Sequence, residues 1–324
     1  MHHRLSRLVL AAATAVALAG CGSSASSGNG GAGTEDGGTE QVKVGVIPIV
    51  DVAPVYLGEK KGFFEERGIE LTLESGQGGA AIVPGVVSGQ FQFGFSNVTS
   101  LMVAHSKGVP IQSVANGVAS TGKDGADFGG VAVAKDSKIT SAKDLAGKKV
   151  AVNTLKNIGD TTVRESVRKA GGDPENIKFT ELPFDQMPAA LSEGRVEAAW
   201  LVEPALSIAK SQGARVVASN FVDAAPDLTV ATYFTSAKTA QENPELVKKF
   251  TEAVNESLRY ADEHPDEVRD ILGSYTKIDP KLAKSMTLPR WPAEINRDSI
   301  EKLAELGRAD GVFSKTPDLD ALFR

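Results

Sequence analysis

Three observations predict an α/β architecture arranged as two lobes. Short strand-like runs alternate with helical runs through most of the chain, the rhythm of parallel strands covered by helices. That rhythm stops in a stretch rich in Gly, Ser and Asp at residues 117–130 and then restarts. The part of the 324-residue chain with enough apolar residues to fold, from about Val42 to Arg324, is 283 residues, long for one simple domain and suited to two.

In order along the chain, residues 41–47 (QVKVGVI) alternate at Val42, Val44 and Val46 and predict a strand. Pro54 suits the first turn of a helix expected to run to about Arg67, with Gly68 as its stop. Residues 69–73 (IELTL) alternate again as a second strand, and Gly76, Gln77, Gly78 and Gly79 form a loop. A short helix at 80–87, a strand at 91–95, a helix at 98–107 ended by Gly108 and a strand at 111–115 complete the first half. After the Gly-rich stretch, strands are expected at 131–134, 148–153, 177–181, 198–201 and 215–218. Between them lie a short helix capped by Ser141 and helices at 160–170, 186–193 and 204–212. Residues 220–229 read as irregular, a second crossing between lobes, before a strand at 230–234. The rest is mostly helical: Asn243-Pro244-Glu245 is a cap, a proline and an acid in the order a helix start favours. Leu246, Phe250, Ala253, Val254, Leu258 and Ala261 then make one apolar stripe, and Pro265, Pro280 and Pro317 are placed to open later helices.

The N-terminus has a different logic. Arg4 and Arg7 precede an apolar run at 8–18, about 11 residues and shorter than the roughly 20 that span a bilayer. Leu18-Ala19-Gly20-Cys21 follows, and Cys21 is the only cysteine, which excludes an internal disulfide and any thiolate-cluster metal site. The tetrad resembles the lipobox of bacterial lipoproteins. That resemblance implies a signal peptide at 1–20, a lipidated Cys21 and an extracytoplasmic, membrane-anchored product. Residues 22–41 are Gly, Ser, Ala, Thr and a few acids, a composition that cannot bury a core and predicts a flexible tether. With the leader removed, 33 basic residues stand against 41 acidic ones, a net charge of −8. No basic patch is visible, which argues against nucleic acid as a partner.

In open α/β sheets ligands bind beyond the carboxyl ends of the strands. The candidates there are Asp51, Gln77, Ser96, Asn97, Thr99, Thr154, Asn157 and Glu203. Several precede helices, where backbone N–H groups and the positive dipole end are available to a ligand, or where the side chain simply caps the helix. Glu203, an acid before a helical proline, is suited to accept a ligand N–H or to act as a cap. No Arg stands among these positions. Asp51 and Glu203 favour a donor-bearing solute, whereas helix N-termini favour an anion, so both chemistries stay open. His105 and His264 belong to no Ser/His/Asp or metal-ligand spacing, and the Gly-rich GQGG lacks the Gly-Lys-Ser/Thr end of a phosphate loop. Trp200 reads as core, and Trp291 as either core or the roof of a cleft. No catalytic residue, cofactor or metal is expected.

The run GFFEERGIELTL, and LSEGRVEAAWLVEP further on, resemble the substrate-binding proteins of ABC importers, in the family that includes aliphatic-sulfonate, taurine, nitrate and thiamine-pyrimidine binders. The second run follows the family's Leu-x-x-Gly-x-x-Asp-Ala-x-x-x-x-Glu-Pro pattern, with Glu197 where Asp is usual. The resemblance spans about residues 42–324. It implies a two-lobed periplasmic-binding-protein-like fold of type II, each lobe a sheet flanked by helices, with residues 42–120 and 230–324 in one lobe and 121–229 in the other. It implies two crossings, a small-molecule ligand held between the lobes by the eight residues named above, and delivery to a membrane permease with its ATPase. A monomer is expected. Two other classes share the shape: a sensory module feeding a receptor, and a pyrimidine synthase, whose resemblance implies a cysteine-rich motif this chain lacks.

Overall fold

The computed structural model describes residues 39–323. The signal segment, Cys21 and nearly all of the tether lie outside them. Among the described residues no helix is long and apolar enough to cross a membrane.

Among the described residues, ten strands form two five-stranded sheets. The first holds β1 (Glu40–Val46), β2 (Ile69–Ser75), β3 (Phe93–Asn97), β4 (Ile111–Ala119) and β10 (Thr229–Ser236) in the order β2-β1-β3-β10-β4. The second holds β5 (Gly129–Val133), β6 (Lys149–Val152), β7 (Lys178–Glu181), β8 (Ala198–Val202) and β9 (Arg215–Ala218) in the order β7-β6-β8-β5-β9. Four strands of each sheet point the same way, and three of them pair directly as parallel neighbours, as the alternation predicts. One strand of each sheet is reversed: β10 is antiparallel to β3 and β4, and β5 to β8 and β9. The reason is topological. β5 and β10 are the strands that leave the two crossings, so each starts at the end of its sheet where β3 or β8 finishes. Asn97 pairs with Ala231 there, and Gly129 with Val202.

Among the described residues, thirteen α-helices flank the sheets: α1 (Ala53–Lys61), α2 (Gly79–Val87), α3 (Val98–Ser106), α4 (Ile158–Lys169), α5 (Met187–Ser192), α6 (Ala205–Ser211), α7 (Asn220–Ala224), α8 (Ala237–Glu242), α9 (Pro244–Glu263), α10 (Pro265–Ile271), α11 (Pro280–Ser285), α12 (Arg297–Ala309) and α13 (Leu319–Leu322). The α1 helix stops at Gly62, which takes a left-handed φ of 86°, well before the expected Arg67; residues 65–67 form a separate 3-10 turn. Residues 220–229, expected to be irregular, contain α7 and the start of β10. Asn243 occupies the N-cap position of α9 without a side-chain cap bond, and Pro317 precedes Asp318, the cap of α13. The predicted stripe of α9 is buried, and Phe250 stacks on Phe93 of the first sheet at 3.8 Å.

The crossings are tied to each other. Asp127, buried in the first, accepts bonds from Ser120 Oγ (2.6 Å) and from the amides of Thr121 and Phe128 (both 2.9 Å). Gly125 N donates to Ser219 Oγ at 2.8 Å, and Ser120 N to Leu228 O at 2.9 Å, so each crossing is bonded to the other. This pairing sets the two sheets with their strand ends facing across a cleft.

Candidate functional site

The strand ends of both sheets enclose a cavity of about 20 Å³, room for about one water. Ile49, Asp51, Phe95 and Asn97 line it from the first sheet, and Asn153, Phe184, Trp200 and Phe221 from the second. Ile47, Ile49 and Phe184 also line a groove of about 440 Å³ immediately outside, which reaches Gln77, Pro204, Tyr275 and Lys277. The groove is in the size range of small-molecule sites, and the inner cavity is its closed continuation.

Three features hold this closure. Asn157 Nδ2 donates to Ser100 Oγ at 2.8 Å, joining the start of α4 to α3. Val50 N donates to Glu203 O at 3.1 Å. Gly78 comes so near the second sheet's loop that a Cβ there would lie 3.0 Å from Thr154 Oγ1 and 3.2 Å from Asn153 Nδ2. A side chain at Gly78 would require these two side chains to give way by a few tenths of an ångström.

Asp51 sits in a 3-10 turn, Val50–Val52, that follows β1. Trp291, 2% exposed, anchors that turn by donating its indole Nε1 to Asp51 O at 3.0 Å, which settles Trp291 as a buried brace of the site. The Asp51 side chain is buried and its Oδ1 has no partner. Burial, opposed by a bond to its own backbone and helped by the negative Asp127, raises the carboxyl to about 7. Trp200 is 3% exposed, and its indole Nε1 is likewise buried without a partner. The ring position is set by Gly159, where a Cβ would lie 2.5 Å from the indole, and by the edge-on rings of Phe184 and Phe221.

The eight candidates separate into groups. Asp51 and Asn97 line the inner cavity and Gln77 the outer groove. Asn97 also caps α3, its Oδ1 accepting from Ser100 N at 2.8 Å. Ser96 and Thr99 are fully buried: Ser96 Oγ donates to Asn97 O and packs on Gly79, and Thr99 Oγ1 has no partner. Thr154 and Asn157 lie at the lobe contact, and Asn157 Oδ1 caps α4 through Ile158 N at 2.8 Å. Glu203 lines neither space. Its carboxylate accepts from Ser207 N (2.9 Å) and Ser207 Oγ (2.8 Å), so of the two roles open to it the structure gives the cap of α6. Burial raises this carboxyl, and the two Ser207 bonds oppose the rise.

Sequence reasoning missed the aromatic wall. Trp200 read as core because it lies in the all-apolar run AAWLV, and nothing in that run marks which residue lines the cavity. Phe95, Phe184 and Phe221 carry the same ambiguity. The described residues contain no group of three or more His, Cys, Asp or Glu able to hold a metal ion.

Comparison with known proteins gives a consistent frame. The family model described as "NMT1/THI5 like" matches residues 49–268. The chain is 24% identical over 271 residues to the "Putative aliphatic sulfonates-binding protein" of Bacillus subtilis, covering 81% of this chain and 78% of that one. It is 22% identical over 221 residues to the 4-amino-5-hydroxymethyl-2-methylpyrimidine phosphate synthase THI5 of Saccharomyces cerevisiae, covering 64% and 62%. Among solved structures, the periplasmic nitrate-binding protein NrtA of Synechocystis PCC 6803 superposes with a TM-score of 0.76 at 17% identity, over 89% of this chain and 86% of that one.

Proposed function

The chain belongs to the NMT1/THI5-like family, and from that membership we propose that it is the extracytoplasmic solute-binding component of an ABC importer. It captures a small organic molecule between its two lobes and delivers it to a membrane permease. The observation that carries this reading is the cavity itself: residues of both sheets enclose it, and hydrogen bonds across the cleft, Asn157 to Ser100 and Val50 to Glu203, hold it shut. A site built this way is complete only when the lobes are together. Contacts made in the closed form alone then bias the open–closed equilibrium, and ligand binding becomes closure. A micromolar affinity supplies roughly 8 kcal/mol for it. The closed molecule is the form the permease engages, and ATP hydrolysis by a separate subunit drives uptake.

The ligand contacts proposed are Asp51 and Asn97 in the inner cavity and Gln77 at its mouth, with Thr154 and Asn157 in the closing contact. Cys21 carries the lipid, and the tether that follows lets the clamp reach the permease while anchored. The reading is of a binding protein and not an enzyme: it is supported by the binding roles in the names of the B. subtilis relative and of NrtA.

Melting of the full chain against alkyl sulfonates, taurine, nitrate, pyrimidines, aromatic carboxylates and amino acids tests the reading. A true ligand at a hundred times its Kd adds about 2.7 kcal/mol and raises Tm by several degrees. Product formed from any stabilising compound would replace the importer with an enzyme. Independently, Cys21→Ser should move the protein from the membrane fraction to the soluble one; retention of the variant in membranes removes the lipid anchor from the model.

A further inference from the structure

Given the clamp proposed above, in which the solute site is complete only when the lobes meet, whatever holds the lobes together sets affinity. We propose that Arg168 and Asp310, neither of which lines the cavity or the groove, form an ion-pair latch between the lobes. The pair positions the closed form and tunes solute affinity without touching the solute.

α12 lies against elements of both sheets. Its start is fixed to the first sheet, where Thr229 opens β10: Asn296 N donates to Thr229 Oγ1 at 2.8 Å, and Thr229 N to Ser299 Oγ at 3.0 Å. Along its length α12 packs on β10 and α3 of the first lobe and on α4 of the second. It ends at Asp310, whose Oδ1 accepts from the guanidinium of Arg168 in the last turn of α4. The Asp310 side chain is 1% exposed, and its Oδ2 is buried without a partner. Burial raises this carboxyl, and Arg168 opposes the rise most strongly.

Arg168 also donates to Glu165 Oε2 at 2.9 Å, one turn back on α4, so the guanidinium is held in place whether or not Asp310 is against it. Arg164 is committed elsewhere, to Pro174 O and the face of Phe179. Among the described residues, Asp310 therefore depends on one cation, supplied by the opposite lobe. A buried carboxylate stripped of its cation is strongly destabilised, whereas the same group in water is not. The cost of removing Arg168 falls on the closed form, and separation of the lobes relieves it. Because only the closed form is competent to bind, apparent Kd rises in proportion as its population falls.

Cysteine trapping in the solute-free full chain measures that population. A Cβ at Gly78 lies 3.0 Å from Thr154 Oγ1 across the cleft, so the thiols of Gly78→Cys and Thr154→Cys are placed to join when the lobes meet. With Cys21→Ser as background, this parent is exposed to an oxidant and N-ethylmaleimide together. The disulfide forms from the closed form and the alkylated product from the open one, so the product ratio follows the equilibrium. Adding Arg168→Gln should lower that ratio at least about tenfold. Arg168→Gln combined with Asp310→Asn should return it to within about threefold of the parent, because no buried charge is left unpaired. Urea unfolding of the same variants separates a latch from a merely structural pair. Lost stability at an unchanged ratio means that α12 travels with α4, and overturns the proposal. A double variant that falls as far as Arg168→Gln alone overturns it too. A parent that yields only one product does not move between two forms, and overturns the clamp reading together with the latch. Where Arg168→Gln fails to fold, Asp310→Asn alone should lower the ratio about threefold through loss of a charge-assisted bond; an unchanged ratio there overturns the latch and leaves the clamp standing.

Discussion

Asp51 and Glu203 are buried acids that follow strand ends, one in each half of the molecule. β1 and β8 are both inner strands, each with a parallel neighbour, and each acid lies just beyond the end of its strand, before a helix that carries a proline at its start. Both side chains are buried and both carboxyls are raised by burial. They differ in what they touch. Both oxygens of Glu203 are engaged by Ser207, four residues on, whereas α1 offers Asp51 no such hydroxyl and leaves Oδ1 unpartnered beside the cavity. Place at a strand end makes an acid available to a ligand; the next turn of helix decides whether it stays available. A serine one turn downstream converts a recognition residue into a cap.

The largest expected effect tests the exposed side of that comparison. Asp51 holds its proton up to about pH 7, whereas in the unfolded chain it releases it near 3.8. Between those values the native state binds more protons than the unfolded state, so stability falls as pH rises, and the contribution present below pH 4 is lost through pH 7. A shift of that size corresponds to on the order of 4 kcal/mol. Asp160, raised to about 6 chiefly by burial, adds to the fall in the same direction. Urea unfolding at intervals from pH 4.5 to 8 should therefore show the native chain losing stability across the range and Asp51→Asn losing markedly less. Parallel curves for the two proteins would mean that Asp51 is solvated, and the contrast with Glu203 would lose its basis.

The comparison also shows what the amino-acid order made legible. The strand rhythm carried the fold, because alternation in QVKVGVI and IELTL reports a half-covered face directly. Strand direction was not legible: whether β5 and β10 run with or against their neighbours depends on where the crossings deliver the chain, a long-range property. The end of α1 was misplaced because Gly62 and Gly68 both take left-handed conformations and only the first terminates the helix. In the site, Asp51, Gln77 and Asn97 were legible from the strand-end rule. Glu203 was legible as an acid in the right place, and Ser207 beside it was the signal for a cap. The place of Trp200 in the cavity wall was not legible, since it depends on Gly159, Phe184 and Phe221 packing against the ring from distant parts of the chain.

The smallest expected effect belongs to the satisfied acid, and for that reason it discriminates. Gln at Glu203 retains an oxygen that accepts from Ser207 and loses only the charge, so stability should change by about 1 kcal/mol or less. Affinity for the solute should change by less than about threefold, under 0.7 kcal/mol, because Glu203 lines neither the cavity nor the groove. Calorimetric titration of Glu203→Gln beside Asp51→Asn, with the same probe, measures the contrast directly. A tenfold loss in Glu203→Gln with unchanged melting would show the carboxylate leaving Ser207 for the ligand as the lobes close. The two acids would then work as a pair, one from each lobe, and the serine would be a resting partner and not a permanent one.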